Sequence, residues 1–162
     1  ECDVPQDVAF STLAMTGHGG CGLRDSDGIA ECWGQAQLGE DRAPAVPLLS
    51  ISASSAAVCG LEQDSRVLCW GRAEVVDATP TGLELLSVTT GGKHACGLLP
   101  DGTGICWGDN ELHQAEIPDG TWTHLAAGYY FTCGRRESGD IECWGCITGM
   151  KDGNCTWEQA TR

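Results

Sequence analysis

The sequence is short of positive charge: nine Lys and Arg stand against 23 Asp and Glu, a formal balance of −14. Such a surface repels phosphate backbones and anionic lipid headgroups, which argues against nucleic acid and membrane surfaces as partners. No apolar run is long enough to cross a bilayer, so membrane insertion is not expected. No signal peptide is present, and the start at Glu1 reads as that of a trimmed mature form. Paired Cys-x-x-Cys motifs are missing. Cys143-Trp144-Gly145-Cys146 stands alone, and His18, His94, His113 and His124 have no ligand spacing. Neither zinc nor any other metal or cofactor is therefore expected. Asp25-Ser26-Asp27-Gly28 opens like a calcium loop but lacks the downstream glutamate, and it reads better as an acidic hairpin tip. No Ser/His/Asp set, glycine-rich phosphate loop or carboxylate pair stands out, so no catalytic residue is assigned and the chain is read as a non-enzyme.

What the chain has in excess is cysteine, 11 residues in 162. Four segments repeat: CGLRDSDGIAECWG from Cys21, CGLEQDSRVLCWG from Cys59, CGLLPDGTGICWG from Cys96 and CGRRESGDIECWG from Cys133. The closing cysteines Cys32, Cys69, Cys106 and Cys143 recur every 37 residues, and a period of that length marks a repeat architecture. Each copy reads as a β-hairpin. In the third, Pro100-Asp101-Gly102 is turn chemistry, proline setting φ and glycine supplying the left-handed position. Centring the turns on Asp101, Asp64 and Ser138, and on the loop Asp25–Gly28, sets Cys96 opposite Cys106, Cys59 opposite Cys69, Cys133 opposite Cys143 and Cys21 opposite Cys32. Opposed positions on antiparallel strands lie within disulfide reach, so four cross-strand bridges follow. Bridges of this kind persist in an oxidising compartment, which places the chain outside the cell, in a periplasm or on a cell surface.

Exactly spaced links of 24 residues join each Cys-Trp-Gly to the next opening cysteine. Within them, Leu49–Ala53, Leu86–Thr90 and Thr123–Ala127 alternate at period two with small or β-branched residues, as inner strands do. No sustained helical stripe occurs. Ser54–Val58 has a helix-like composition, but its repeat mates carry Gly91-Gly92 and Tyr129-Tyr130, which rejects a helix there.

From about Val8 to Gly145 the pattern resembles the regulator-of-chromosome-condensation repeat in a short, cysteine-containing form. The third copy carries the likeness best, in Gly91-Gly92-Lys93-His94-Ala95-Cys96-Gly97-Leu98, Asp101-Gly102 and Cys106-Trp107-Gly108. The resemblance implies an all-β fold, a β-propeller with one repeat per blade. Familiar members have seven blades and this chain has four. The expected organisation is a single domain over 1–162, with repeats at about 5–44, 45–81, 82–119 and 120–157 and overlapping termini. Residues 146–162 and 1–20 supply 37 residues where an internal link uses 24, and Cys2, Cys146 and Cys155 gather in that junction. This favours a closed four-blade ring over an open array that two copies complete. Cys146 and Cys155 flank Asp152-Gly153 like a degenerate fifth hairpin and would pair, leaving Cys2 free or bridging a homo-oligomer. The rival pairing ties Cys2 to Cys146 or Cys155. Asn154-Cys155-Thr156 is a glycosylation sequon.

Trp33, Trp70, Trp107 and Trp144 recur at one position, as packing residues do in every unit of an array. Function is expected where the copies differ, in the loops before the opening cysteines. In a propeller these loops gather on one face, where Tyr129, Tyr130, Lys93, His94 and His18 would form a binding patch; the plainer role is blade-to-blade packing. The resembled family acts through protein partners, so the leading expectation is a secreted module that binds a protein. A matrix or filament subunit joined through its termini, and a lectin stacking sugars on Tyr129 and Tyr130, are the alternatives.

Overall fold

The computed structural model describes residues 4–35, 39–55 and 57–147, together with the backbone alone of 150–151 and 154–155. Four three-stranded antiparallel sheets follow one another along the chain. The first holds β1 (Phe10–Met15), β2 (Gly19–Arg24) and β3 (Ala30–Gly34), and the second β4 (Leu48–Ser54), β5 (Ala57–Glu62) and β6 (Val67–Gly71). A one-turn helix, α1 (Ala73–Val76), leads to the third, of β7 (Ser87–Thr90), β8 (His94–Leu98) and β9 (Gly104–Gly108). The fourth holds β10 (His124–Ala127), β11 (Phe131–Arg135) and β12 (Ile141–Gly145). Two further two-residue strands, β13 (Met150–Lys151) and β14 (Asn154–Cys155), pair antiparallel.

The sheets stack in a propeller-like arrangement with the strands β1, β4, β7 and β10 innermost. Each hairpin has the expected register: Cys21↔Cys32, Cys59↔Cys69, Cys96↔Cys106 and Cys133↔Cys143 are direct cross-strand partners. All four pairs are disulfide-bonded, with Cα atoms 4.0–4.1 Å apart. The turns are tied by their own side chains, as where Asp101 Oδ1 accepts from the Thr103 amide at 2.9 Å and Asp27 Oδ1 from the Ile29 amide at 3.0 Å. Asp27 also pairs with Arg24, so the calcium-like tetrapeptide is a closed acidic tip.

Packing explains both invariant glycines of the repeat. The one after each opening cysteine is a flat seat for a large side chain of the same blade: a Cβ on Gly22, Gly60, Gly97 or Gly134 would lie 2.3–2.7 Å from Phe10, Leu48, Leu85 or Trp122. The glycine of each Trp-Gly has φ between 91° and 99°, in the left-handed region. There it lets the third strand pass within van der Waals distance of the middle strand's first residues.

The core lies between blades. Ala14, Cys21, Leu23 and Ala30 of the first blade meet Leu48, Ile51, Val58 and Trp70 of the second. Ala57, Cys59, Leu61 and Val67 of the second meet Val75, Leu85, Ala95 and Trp107 around the third. Trp70 and Trp107 are buried, while the outer copies Trp33 and Trp144 are half-buried. Helix α1 has no helical stripe and no side-chain cap. Burial of Val75 and the bond from the Thr79 hydroxyl to its carbonyl hold it.

One expectation is corrected. Strand β4 packs on β1, β7 on β4 and β10 on β7, but among the described residues no comparable packing returns from β10 to β1. Among the described residues the four blades form an open arc and not the expected closed ring. Leu13, at the position where Ile51 is 9% exposed against the preceding blade, is 61% exposed.

Candidate functional site

The four loops that precede the opening cysteines are drawn to one end of the arc by main-chain bonds between blades. The Gly17 amide donates to the Ser55 carbonyl at 2.6 Å, joining the first two, and the Gly92 amide to the Tyr129 carbonyl at 3.1 Å, joining the last two. The residue after three of the Trp-Gly pairs then braces its own loop: the Gln35, Asp109 and Cys146 amides donate to the His18, Lys93 and Tyr130 carbonyls at 2.8–3.0 Å. These loops are short, and their backbone is held from two sides.

The loops carrying Lys93 and carrying Tyr129 and Tyr130 adjoin at the junction of the third and fourth blades, where the Gly92 amide meets the Tyr129 carbonyl, and His18 lies exposed on the first. The Tyr129 and Tyr130 rings meet edge to face with centroids 4.4 Å apart, and Tyr129 is 48% exposed. Gly92 forms the seat beneath: a Cβ there would stand 2.6 Å from the Tyr129 carbonyl oxygen and 2.8 Å from its ring. The aromatic pair is thus a half-open ledge seated on the third blade.

His94 does not reach this surface. It is fully buried between the third and fourth blades, and its Nε2 lies 2.8 Å from Thr132 Oγ1. The Thr132 hydroxyl donates its one proton to the Gln114 carbonyl at 2.9 Å, so it accepts from His94, which fixes the Nε2–H tautomer. Nδ1 has no hydrogen-bond partner. Burial lowers the His94 pKa to about 4, with the nearby Asp109 carboxylate partly offsetting it. The imidazole is neutral at ordinary pH.

Residue types in the sequence gave no sign of the parts that anchor this end. The Gln114 carbonyl also accepts from the Trp144 indole at 3.1 Å, and the Glu40 carbonyl takes the equivalent bond from Trp70 at 3.0 Å. Both acceptors belong to the backbone 30 residues upstream of a repeat tryptophan. The spacing alone could have found them.

Among the described residues no group of three His, Cys, Asp or Glu side chains gathers as a metal site would require, and no helix is long and apolar enough to cross a membrane. Cys146 is disulfide-bonded. The expectations for Cys2 and for the side chains of Asn154 and Cys155 fall outside the described residues.

No protein-family model matches the chain, and no curated protein matches it. Solved structures do. The ectodomain of the receptor kinase CR4 from Physcomitrella patens is 34% identical and superposes with a TM-score of 0.77 over 88% of this chain and 42% of its own. The CRINKLY WD40 ectodomain of the Arabidopsis thaliana receptor kinase ACR4 is 31% identical, with a TM-score of 0.75 over 86% of this chain and 51% of its own. Yeast RCC1 (Prp20), solved bound to Kap60, shares the fold at 15% identity, with a TM-score of 0.70 over 88% of this chain and 45% of its own. This chain spans about half, or less, of the length of each.

Proposed function

We propose that the chain is an exported, non-catalytic module that binds a protein partner through the loop end of its blades, with Tyr129, Tyr130 and Lys93 as the centre of the contact and His18 at its edge. The ledge of Tyr129 and Tyr130 carries the reading. Aromatic rings held rigid before binding lose little conformational freedom on contact, and tyrosine beside a cation is a frequent centre of protein interfaces. The acidic body around Lys93 suits a partner that presents basic groups at the rim and an apolar centre. The four local disulfides support an oxidising compartment, and likeness to two receptor ectodomains agrees with an extracellular location. Residues 1–162 act as one unit in this reading.

The test is to immobilise the parent and the Tyr129→Ala and Lys93→Glu variants, and to compare what each retains from the native extracellular fluid. A protein held by the parent and lost by both variants, with unchanged disulfides, supports the reading. Equal retention by all three refutes it. A glycan array run in parallel separates the lectin alternative: saturable sugar binding abolished by Tyr129→Ala would replace the protein partner with a carbohydrate.

A further inference from the structure

The two ends of the arc are unequal, and the inequality follows repeat positions. In each blade the inner strand turns one side to the blade before it. Ile51 lies there against the first blade and Val88 against the second. Among the described residues no blade lies against that side of the first blade, whose equivalent residue Leu13 is 61% exposed, with Met15 on the same side 60% exposed. Phe10 and Trp33 continue that side as a tilted aromatic pair with centroids 5.4 Å apart, Trp33 occupying the position where Trp70 and Trp107 are 6% exposed. Four apolar side chains therefore form an open blade face.

At the other end, the fourth blade turns outward the positions that earlier blades bury against their successors. Ile141 is 61% exposed where Ala30 and Val67 are 7% and 6% exposed. Arg135 stands exposed where Leu23, Leu61 and Leu98 are buried. The two open faces are the two halves of a contact that the chain builds three times internally. Within that contact the buried leucines share a core with Leu48 and with Leu85, and the residue equivalent to these on the first blade is Phe10. Stacking one copy's fourth blade against another's first, as neighbouring blades stack within the chain, therefore brings Arg135 to Phe10. Guanidinium on aromatic face is a pairing this chain already makes, where Arg136 lies 3.5 Å over the Trp122 ring. The substitution of arginine for leucine suits an aromatic position, and Phe10 supplies one.

We infer that the open face of the first blade, Phe10, Leu13, Met15 and Trp33, docks the fourth blade of a second copy of this chain, and that two copies joined in this way at both ends close an eight-blade ring. A two-fold axis makes the two contacts identical, so a single head-to-tail surface both joins and terminates the assembly. The contact continues the internal blade stack, which is why a second copy fits it better than an unrelated protein. It lies on the flanks of the arc and leaves the Tyr129 ledge at the loop end uncovered.

Light scattering coupled to size exclusion tests the inference on the whole chain. The parent is expected at twice the 17.0 kDa of one chain. Leu13→Glu and Ile141→Glu each place an unpaired carboxylate in the contact and should weaken association by more than about a hundredfold, leaving folded monomers with the four hairpin disulfides intact. Mixing the two variants restores one unblemished contact, parent Ile141 against parent Leu13, and should recover dimers where neither variant alone does. Cys2→Ser should leave the dimer unchanged. A parent that stays monomeric at high concentration overturns the inference, as does a dimer abolished by Cys2→Ser alone. A ladder of higher species without a dominant dimer overturns the closed ring.

Discussion

The contact between the second and third blades and the contact between the third and fourth share one backbone frame and differ in chemistry. At the first, Ala57 and Ala95 are fully buried in an apolar cluster with Leu61, Leu85 and Trp107, and the Trp107 indole N–H has no partner. At the second, the equivalent pair is His94 and Thr132, joined by a hydrogen bond and tied on to Gln114. Both keep an amide-to-hydroxyl bond between inner strands: the Thr90 amide donates to Ser52 Oγ at 3.0 Å, and the Ala127 amide to Thr89 Oγ1 at 3.1 Å. The repeat thus fixes where two residues meet and leaves open what they are. An apolar pair stabilises by burial alone, whereas the hydrogen-bonded pair orients the segment that carries Tyr129 and Tyr130 and introduces a titratable group.

The comparison can be broken most sharply at Trp107. Trp107→Ala should destabilise the fold by about 3–5 kcal/mol, because the ring fills the apolar contact and its removal leaves a cavity. Denaturant unfolding with the disulfides intact measures this, and binding through the loop end should survive in the folded fraction.

Acid should act on the other contact. The unfolded chain takes up a proton at His94 near pH 6.5, and the folded chain only near pH 4. Stability present at neutral pH is therefore lost as pH falls through this window, by about 3 kcal/mol once both states are protonated. Melting temperatures from pH 7.5 to 4 would show the decline, and His94→Gln should flatten that part of it. An unchanged profile would mean that His94 is solvated.

Thr132→Val keeps the shape and removes the hydroxyl, stranding the His94 N–H and one bond to the Gln114 carbonyl. The expected cost is about 1–3 kcal/mol. Tyr129→Ala should change stability by no more than about 0.5 kcal/mol, since its ring is half-exposed, while abolishing the proposed contact. A large loss of stability would reassign Tyr129 to packing.

Much of the frame is legible in the sequence. Cysteine pairs read out strand register because a disulfide needs opposed positions, and the three quoted inner segments became β4, β7 and β10 with ends shifted by a residue or so. The first inner strand was less visible, since Phe10–Met15 mixes large and small residues on both sides. Helix α1 is too short for a periodic signal and depends on the tertiary burial of Val75. His94 reads as a loop donor in the sequence because it follows Gly91-Gly92-Lys93. Its repeat equivalents Ala57 and Phe131 form an apolar column, which was the available sign that it points inward. The same column places an apolar Leu13 and a charged Arg135 where inner blades carry apolar pairs, whereas the cysteines gathered at the termini favour closure.

The disulfides have a mechanical consequence. Each closes a loop of only 10 or 11 residues, wholly within one hairpin. Tension applied at the chain ends passes through the sulfur bridge and bypasses the hairpin tip, withholding roughly 35 Å of contour per blade from extension. Blades can be pulled apart from one another under load, but no hairpin can be unravelled past its staple. The tips and their cross-strand register survive stretching, and when the load is released each blade begins to reassemble with its central pairing already made.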